Sequence, residues 1–141
     1  MSREIKFRGL TINGDMVFGM VTILKKDYST VRKGCYISNS GGAPFAYMVR
    51  HETVEKYTGL KDKNGVEIYE GDIIGGYPHG TVEVKWNDEY ACFEAVWVDG
   101  EYDEAGEYYE KEISSLFANE LDNCKDAWEV IGNIHQNTEL L

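Results

Sequence analysis

Apolar and polar residues alternate most cleanly at residues 82–86, where Val82, Val84 and Trp86 are separated by Glu83 and Lys85. A period of two places one set on a core and the other toward water, so this stretch predicts a half-buried β-strand. Asn87-Asp88 supplies a turn, and residues 91–98 alternate less regularly as its antiparallel partner. Residues 5–10 predict another strand, with Ile5 and Phe7 set against Lys6 and Arg8, and Asn13-Gly14 signals a reversal. The strand that follows, MVFGMVTIL at residues 16–24, is almost continuously apolar. Such a run predicts cover on both faces, and its Gly19 marks a bulge or a close backbone approach. A lone two-stranded hairpin is unstable in water. The N-terminal hairpin is therefore expected to pack on the rest of the protein or on another subunit, and its apolar excess favours a contribution from the second.

Residues 25–34 are polar and basic, residues 35–37 predict a short strand, and residues 38–44 read as a connector rich in Ser and Gly. That connector lacks the spacing of a phosphate-binding loop. Strand character returns at residues 45–50, and residues 51–57 are expected to form one helical turn. Residues 99–112, DGEYDEAGEYYEKE, read as an acidic loop or extended ribbon. Ile113, Leu116, Phe117 and Leu121 are spaced like one face of a short helix, and residues 128–134 predict the closing strand.

The densest local signal is YTGLKDKNGVEIYEGD at residues 57–72, where Asn64-Gly65 between strand-like flanks predicts a hairpin. A two-residue loop would set Asp62 opposite Glu67, an unfavourable pair of like charges. A three-residue loop of Lys63, Asn64 and Gly65 instead sets Lys61 opposite Glu67 and Leu60 opposite Ile68. It also places Asp62 first in a type I turn, where its carboxylate accepts a backbone N–H, and Gly65 at the left-handed bulge position. The bulged hairpin is the expected form. Leu60, Gly65, Ile68, Tyr69, Gly71, Ile73, Val82, Val84, Trp86, Val130 and Ile134 are the residues expected to matter for folding.

TGLKDKNGVEIYEGDII resembles the central signature of the YopX family of phage and prophage proteins. Residues 3–8 (REIKFR) resemble the family's opening, and residues 128–134 (WEVIGNI) with residues 137–141 (NTELL) resemble its close. The chain departs from the pattern at Gly9-Leu10-Thr11, where the family has an Ala-Trp-Asp-like stretch, and at Thr138, where it has proline. The resemblance implies a mainly β protein with an SH3-like small barrel, encoded by a phage or an integrated prophage, and no established activity. Together with the strand pattern it suggests an N-terminal β-hairpin region at residues 1–50, an SH3-like β-barrel at residues 51–141, and one short helix.

Composition sharpens this in two ways. Ten Tyr, five Phe and three Trp in 141 residues favour an aromatic β core over disorder. The net charge of −11 conceals a division: residues 1–50 carry eight Lys/Arg against three Asp/Glu, and residues 51–141 carry six against twenty-two. The acidic part repels phosphate backbones, which makes nucleic acid an unlikely ligand for it. Arg3, Lys6, Arg8, Lys25, Lys26, Arg32 and Lys33 form the basic end, suited to phosphates, an acidic partner or the acidic half of another copy. No stretch is long and apolar enough to span a bilayer and no leader pattern stands at the N-terminus, so a cytoplasmic location with no membrane partner is expected. Cys35, Cys92 and Cys124 are widely separated, which suggests free thiols in a reducing compartment rather than zinc or a disulfide framework.

Catalytic chemistry requires a nucleophile, base or metal cluster with supporting neighbours. His51, His79 and His135 fall in three separate segments, and neither Ser114-Ser115 nor the cysteines have a nucleophile context. No enzyme and no cofactor is expected. Asp99, Glu101 and Asp103 alternate as calcium-loop ligands do, but Glu104 stands where such a loop needs its glycine. The acidic residues Asp99, Glu101, Asp103, Glu104, Glu107 and Glu110, with Tyr108, are the candidate partner-binding face. Three functions remain open on sequence alone: a homo-oligomeric interaction or assembly module, an acidic decoy imitating DNA toward a host nucleic-acid-binding protein, and nucleic-acid binding through the basic N-terminal third.

Overall fold

The computed structural model describes residues 4–39, 46–76, 80–116 and 128–140. It is mainly β, with two antiparallel sheets and no closed barrel. The chain divides into two compact units, residues 1–59 and 60–141.

The first unit contains β1 (Phe7–Leu10), β2 (Met16–Leu24), β3 (Gly34–Asn39), β4 (Ala46–Val49) and the greater part of β5 (Glu55–Lys61), in the order β4-β3-β2-β1-β5. Its sheet curls. The curl brings the end of β1 to the end of β4, where Thr11 bridges Val49 and the Arg50 N–H donates to the Leu10 carbonyl at 2.8 Å. Inside it, Cys35, Ile37 and Val49 are buried with Phe7, Val17 and Val54 packed against them. Two glycines permit the approach. A Cβ on Gly9 would press on Ile37 and Val49 at 3.2 Å, and one on Gly19, whose φ is +152°, would fall on the Ser38 carbonyl. The close approach expected at Gly19 is therefore present.

A 3-10 turn at His51–Thr53 joins β4 to β5. The Thr53 hydroxyl donates to the Arg50 carbonyl at 2.7 Å and accepts the Leu10 N–H at 2.9 Å, tying the turn to β1. Only one turn forms because Glu55 and Tyr57 are buried while Lys56 is exposed, a period of two that continues as strand. Arg8 and Glu55 face each other across β1 and β5. Their side chains, each 6% exposed, form an ion pair with both N–O distances at 3.0 Å. A buried charge needs such a partner, so Arg8 does not belong to the basic surface expected of it.

The cover expected for both faces of β2 is not found within the described residues. Phe18, Met20 and Ile23 are 44%, 50% and 57% exposed.

The second unit begins at the end of β5, which turns back as β6 (Glu67–Tyr69). A five-stranded sheet follows: β7 (Asp72–Gly76), β8 (Gly80–Asn87), β9 (Cys92–Tyr102) and β10 (Tyr108–Leu116) form a meander, and β11 (Glu129–Asn133) joins the free edge of β7. Its core consists of Ile68, Ile74, Val82, Val84, Phe93, Ala95 and Trp128. Trp86 and Phe93, opposite each other on β8 and β9, meet edge to face at 5.0 Å. Of the residues expected to matter for folding, Ile68, Tyr69, Ile73, Val82 and Val84 are buried, and Leu60 is 38% exposed. The short helix expected at residues 113–121 is corrected over its first part: Ile113 through Leu116 continue β10 against β9. Residues 117–121 lie outside the described residues, as do His79, Cys124 and most of the Ser/Gly connector.

The signature hairpin takes the bulged form. Asp62 N–H donates to the Val66 carbonyl at 2.8 Å, Gly65 N–H donates to the Asp62 carbonyl at 3.0 Å, and Gly65 has φ +80°. The Asp62 carboxylate accepts three backbone N–H groups, from Asn64 at 2.8 Å, Val66 at 2.9 Å and Val130 at 2.9 Å. Lys63 N–H donates to the Trp128 carbonyl at 3.1 Å. The turn is thus fastened to β11. Burial alone would raise the Asp62 carboxyl, but the three N–H groups and the nearby Lys63 charge outweigh it and lower the pKa from its ordinary 3.8. A depressed carboxyl contributes stability above its unfolded pKa and loses it as pH falls through the lower folded value.

Asp62→Ala should therefore cost about 2–3 kcal/mol at neutral pH by leaving buried N–H donors unsatisfied. Urea midpoints measured from pH 7 down to pH 2 should converge for the variant and the parent at the acid end. A constant difference across that range would contradict the assignment.

Candidate interaction surfaces

Strands β9 and β10 extend as a two-stranded ribbon whose outer part, residues 100–112, is exposed. Its tip repeats the device of the signature hairpin. Asp103 Oδ1 accepts the Ala105 and Glu107 N–H groups at 2.9 Å each, Asp103 N–H donates to the Glu107 carbonyl at 3.0 Å, and Gly106 takes φ +82°. Asp-x-x-Gly is the shared pattern of the two turns. Behind the tip, Tyr102 and Tyr108 oppose each other and meet edge to face at 5.5 Å. The Tyr108 ring lies over Gly100, where a Cβ would collide with it.

Antiparallel partners share a side of a ribbon, and successive residues alternate sides. Glu101 lies opposite Tyr109, and Glu110 lies opposite Gly100 on the other side. The expected acidic face is accordingly distributed: Glu101 on one side, Tyr108 and Glu110 on the other, and Asp103, Glu104 and Glu107 around the tip. Asp99 stands opposite Lys111 in the register. The Tyr109 hydroxyl donates to Glu101 Oε2 at 2.7 Å. This bond, followed by the charge of Glu101, raises the Tyr109 phenol above its ordinary 10.0. Sequence spacing identified the acids. It also identified the tyrosines among them, of which Tyr102 is 71% exposed, but not the exposed apolar Val98, at 62%.

In the first unit, the loop at residues 25–33 presents Lys25, Lys26, Arg32 and Lys33 to solvent with Asp27 among them. The loop is held in shape. Asp27 Oδ1 accepts the Lys33 N–H at 2.9 Å, the Tyr28 N–H donates to the Val31 carbonyl at 2.8 Å, and the Tyr36 hydroxyl donates to the Arg32 carbonyl at 2.7 Å. The Lys26 ammonium stands 5.3 Å from the Tyr28 ring centre. Beneath the loop, Leu24, Val31, Tyr36 and Met48 line an open cleft of about 640 Å³, with Arg32 at its rim. The alternation of β2 puts Phe18, Met20, Thr22 and Leu24 on one face, so the cleft continues into exposed Met20 and Phe18. Lys6 is not part of this patch, since its ammonium sits 3.4 Å from Glu4 and 5.7 Å from the Tyr57 ring centre. The basic loop was evident in the sequence. The cleft was not, because Tyr36 and Met48 join it only through the pairing of β3 with β4.

A second cleft of about 380 Å³ lies in the second unit between Thr81, Glu83, Lys85, Trp97 and Glu112. Lys85 Nζ is 3.7 Å from Glu112 and 4.0 Å from Glu83. Burial raises the Glu83 carboxyl, Lys85 opposes the shift, and Glu112 adds to it. One ammonium there serves two carboxylates. Among the described residues, no three His, Cys, Asp or Glu side chains converge as a metal ion would require. His51 lies in the 3-10 turn before β5 and His135 in the turn after β11. Cys35 is buried and Cys92 half-buried, both as free thiols. Among the described residues no helix is long and apolar enough to cross a membrane.

The family model described as "YopX protein" matches residues 6–141. The chain is similar over 99% of its length to 99% of the solved chain titled "Crystal structure of protein EF1440 from Enterococcus faecalis", at 28% identity and a TM-score of 0.51. No curated protein matches.

The Asp103 turn is local, so Asp103→Ala should speed amide exchange at Ala105 and Glu107 by about tenfold or more. Global stability should change by less than about 1 kcal/mol. Unchanged exchange at these amides would remove the capping role of the carboxylate.

Proposed function

This chain belongs to the YopX protein family, and from that premise we propose that it is a non-enzymatic, homo-oligomeric interaction or assembly module of a phage or prophage, acting in the host cytoplasm. The observation that carries the reading is the exposed apolar stripe of β2, with Phe18 and Met20 44% and 50% exposed, continuous with a cleft beneath a basic loop. Contiguous apolar surface rimmed by charge is characteristic of association sites. The charge division supplies an orientation: residues 1–59 carry nine Lys/Arg against five Asp/Glu, and residues 60–141 carry five against twenty. Unlike ends of two copies attract, and like ends repel.

The SH3-like relationship is part of the same proposal. The meander β7-β8-β9-β10, with β11 returning to pair with β7, is the strand order that an opened SH3-like module would have, and it supports that reading of the second unit.

The acidic decoy is the second reading, favoured by the exposed carboxylates around the β9–β10 tip. It predicts that the protein competes with DNA for a host nucleic-acid-binding protein. Direct nucleic-acid binding has less support, because Arg8 is buried against Glu55, Lys6 is paired with Glu4, and Arg32 lines an apolar cleft.

Light scattering should give a mass several times the 16.0 kDa chain at about 0.05 M salt, and the assembly should weaken at about 0.5 M, where surface charges are screened. A monomer at all protein concentrations and both salt levels would reject self-assembly.

A further inference from the structure

We propose that the basic-rimmed cleft of one copy receives the acidic tip of the β9–β10 ribbon, residues 98–112, of a second copy. This rests on the self-assembly reading and gives it a surface. The two features are complementary in chemistry. The cleft offers Leu24, Val31, Tyr36 and Met48 with Arg32 in its lining, and Lys25, Lys26 and Lys33 are exposed on the loop that supplies Val31 and Arg32. The ribbon offers Tyr102 and Tyr108, 71% and 58% exposed and already packed edge to face, with Glu110 on the same side and Asp103, Glu104 and Glu107 around the tip.

Each half has the composition of an interface core. Tyr, Met and Arg are enriched at such cores, whereas Lys and Glu are kept at their rims. Here the aromatic pair would occupy the cleft, and the acids would meet the lysines around it. Both halves are also shaped before they meet. The Asp103 turn and the stacking of Tyr108 on Gly100 hold the ribbon, while Asp27 and Tyr36 hold the loop. Preformed partners lose less conformational entropy on docking. A cleft of this volume lies within the range that accommodates compact ligands.

Cleft and ribbon are different surfaces, so the contact is heterologous, and each copy carries one of each. Such contacts close into a ring or continue as a fibre, according to the rotation between copies. A second copy is favoured over a foreign acidic peptide because the chain itself supplies the complementary charge and the aromatic anchor in one rigid element.

A charge exchange tests the proposal. One variant carries Lys25→Glu, Lys26→Glu and Lys33→Glu, and the other carries Glu104→Lys, Glu107→Lys and Glu110→Lys. All six side chains are exposed, and Glu101 and Asp103 are spared because they hold the ribbon together. Circular dichroism should confirm that both variants retain the parental fold. Each alone should assemble with an apparent dissociation constant raised about tenfold or more by like-charge contact. Their equimolar mixture should regain assembly to within about threefold of the parent, since each reversed cleft then meets a reversed ribbon. If both variants assemble as the parent does, or if the mixture fails to recover, the cleft–ribbon contact is wrong while self-assembly stands. If the parent itself is monomeric, both readings fall together.

Discussion

The second unit depends on one carboxylate. Asp62 accepts backbone N–H groups from Asn64 and Val66 in its own turn and from Val130, 68 positions away, on the last strand. The local bonds fix the type I turn and its glycine bulge, and the distant bond fastens that turn to β11. Beside it, Lys63 N–H bonds to the carbonyl of Trp128, the largest fully buried side chain of the described residues. A carboxylate with several N–H donors is worth more than a neutral acceptor in the same place, which offsets the cost of taking it out of water. The start and end of the unit are thereby joined without a disulfide or a metal.

The local half of this arrangement was legible and the distant half was not. Asp62, Asn64 and Gly65 stand at the offsets that a bulged three-residue turn requires, so their roles follow from short-range stereochemistry. Nothing in the spacing of residues identifies Val130 as the third donor, because that pairing exists only once β11 lies beside β7. The Asp103 turn illustrates the converse. Its Asp-x-x-Gly pattern is as local as that of Asp62, yet Ala105 stands where Asn64 gives the familiar Asn-Gly signal, so the turn carries a weaker sequence mark. At residues 113–121 the apolar spacing fitted a helix. The strand prevails as far as Leu116 because β9 offers an eleven-residue partner, and pairing along it satisfies backbone groups that a short isolated helix would leave to solvent.

In the first unit, the distinction between core and surface is set by curvature rather than hydrophobicity. Gly9 and Gly19 let the sheet bend until Thr11 meets Val49, and Ile37 is enclosed with no exposed surface. The bend has only one inside. The almost continuously apolar β2 therefore turns Val17 toward the core and leaves Phe18 and Met20 outside, a result that periodicity could not assign because apolar residues stand at both parities. Charge reading met a similar limit. Arg8 belongs by sequence to the basic end, but its register opposite Glu55 turns it into an internal ion pair, whereas Lys25, Lys26, Arg32 and Lys33 stay exposed in the loop after β2.

Edge protection explains why association between copies would be selective. The outer strand β10 carries Glu110, Lys111 and Glu112 in succession, and charges on an edge oppose pairing with another strand. The outer strand β4 has no such charges and exposes Tyr47 and Met48, but it is four residues long, and the Thr11 bridge to Val49 occupies one end. Neither β4 nor β10 is therefore a good template for indefinite sheet growth. The acidic units repel one another, so an encounter between side-chain surfaces of opposite charge would be favoured over one between like surfaces. Under the proposed self-assembly, a stripe such as Phe18-Met20, which would invite indiscriminate sticking on a neutral protein, would be approached most readily by an acidic surface, and the charge division would act as the specificity element that exposed apolar area lacks.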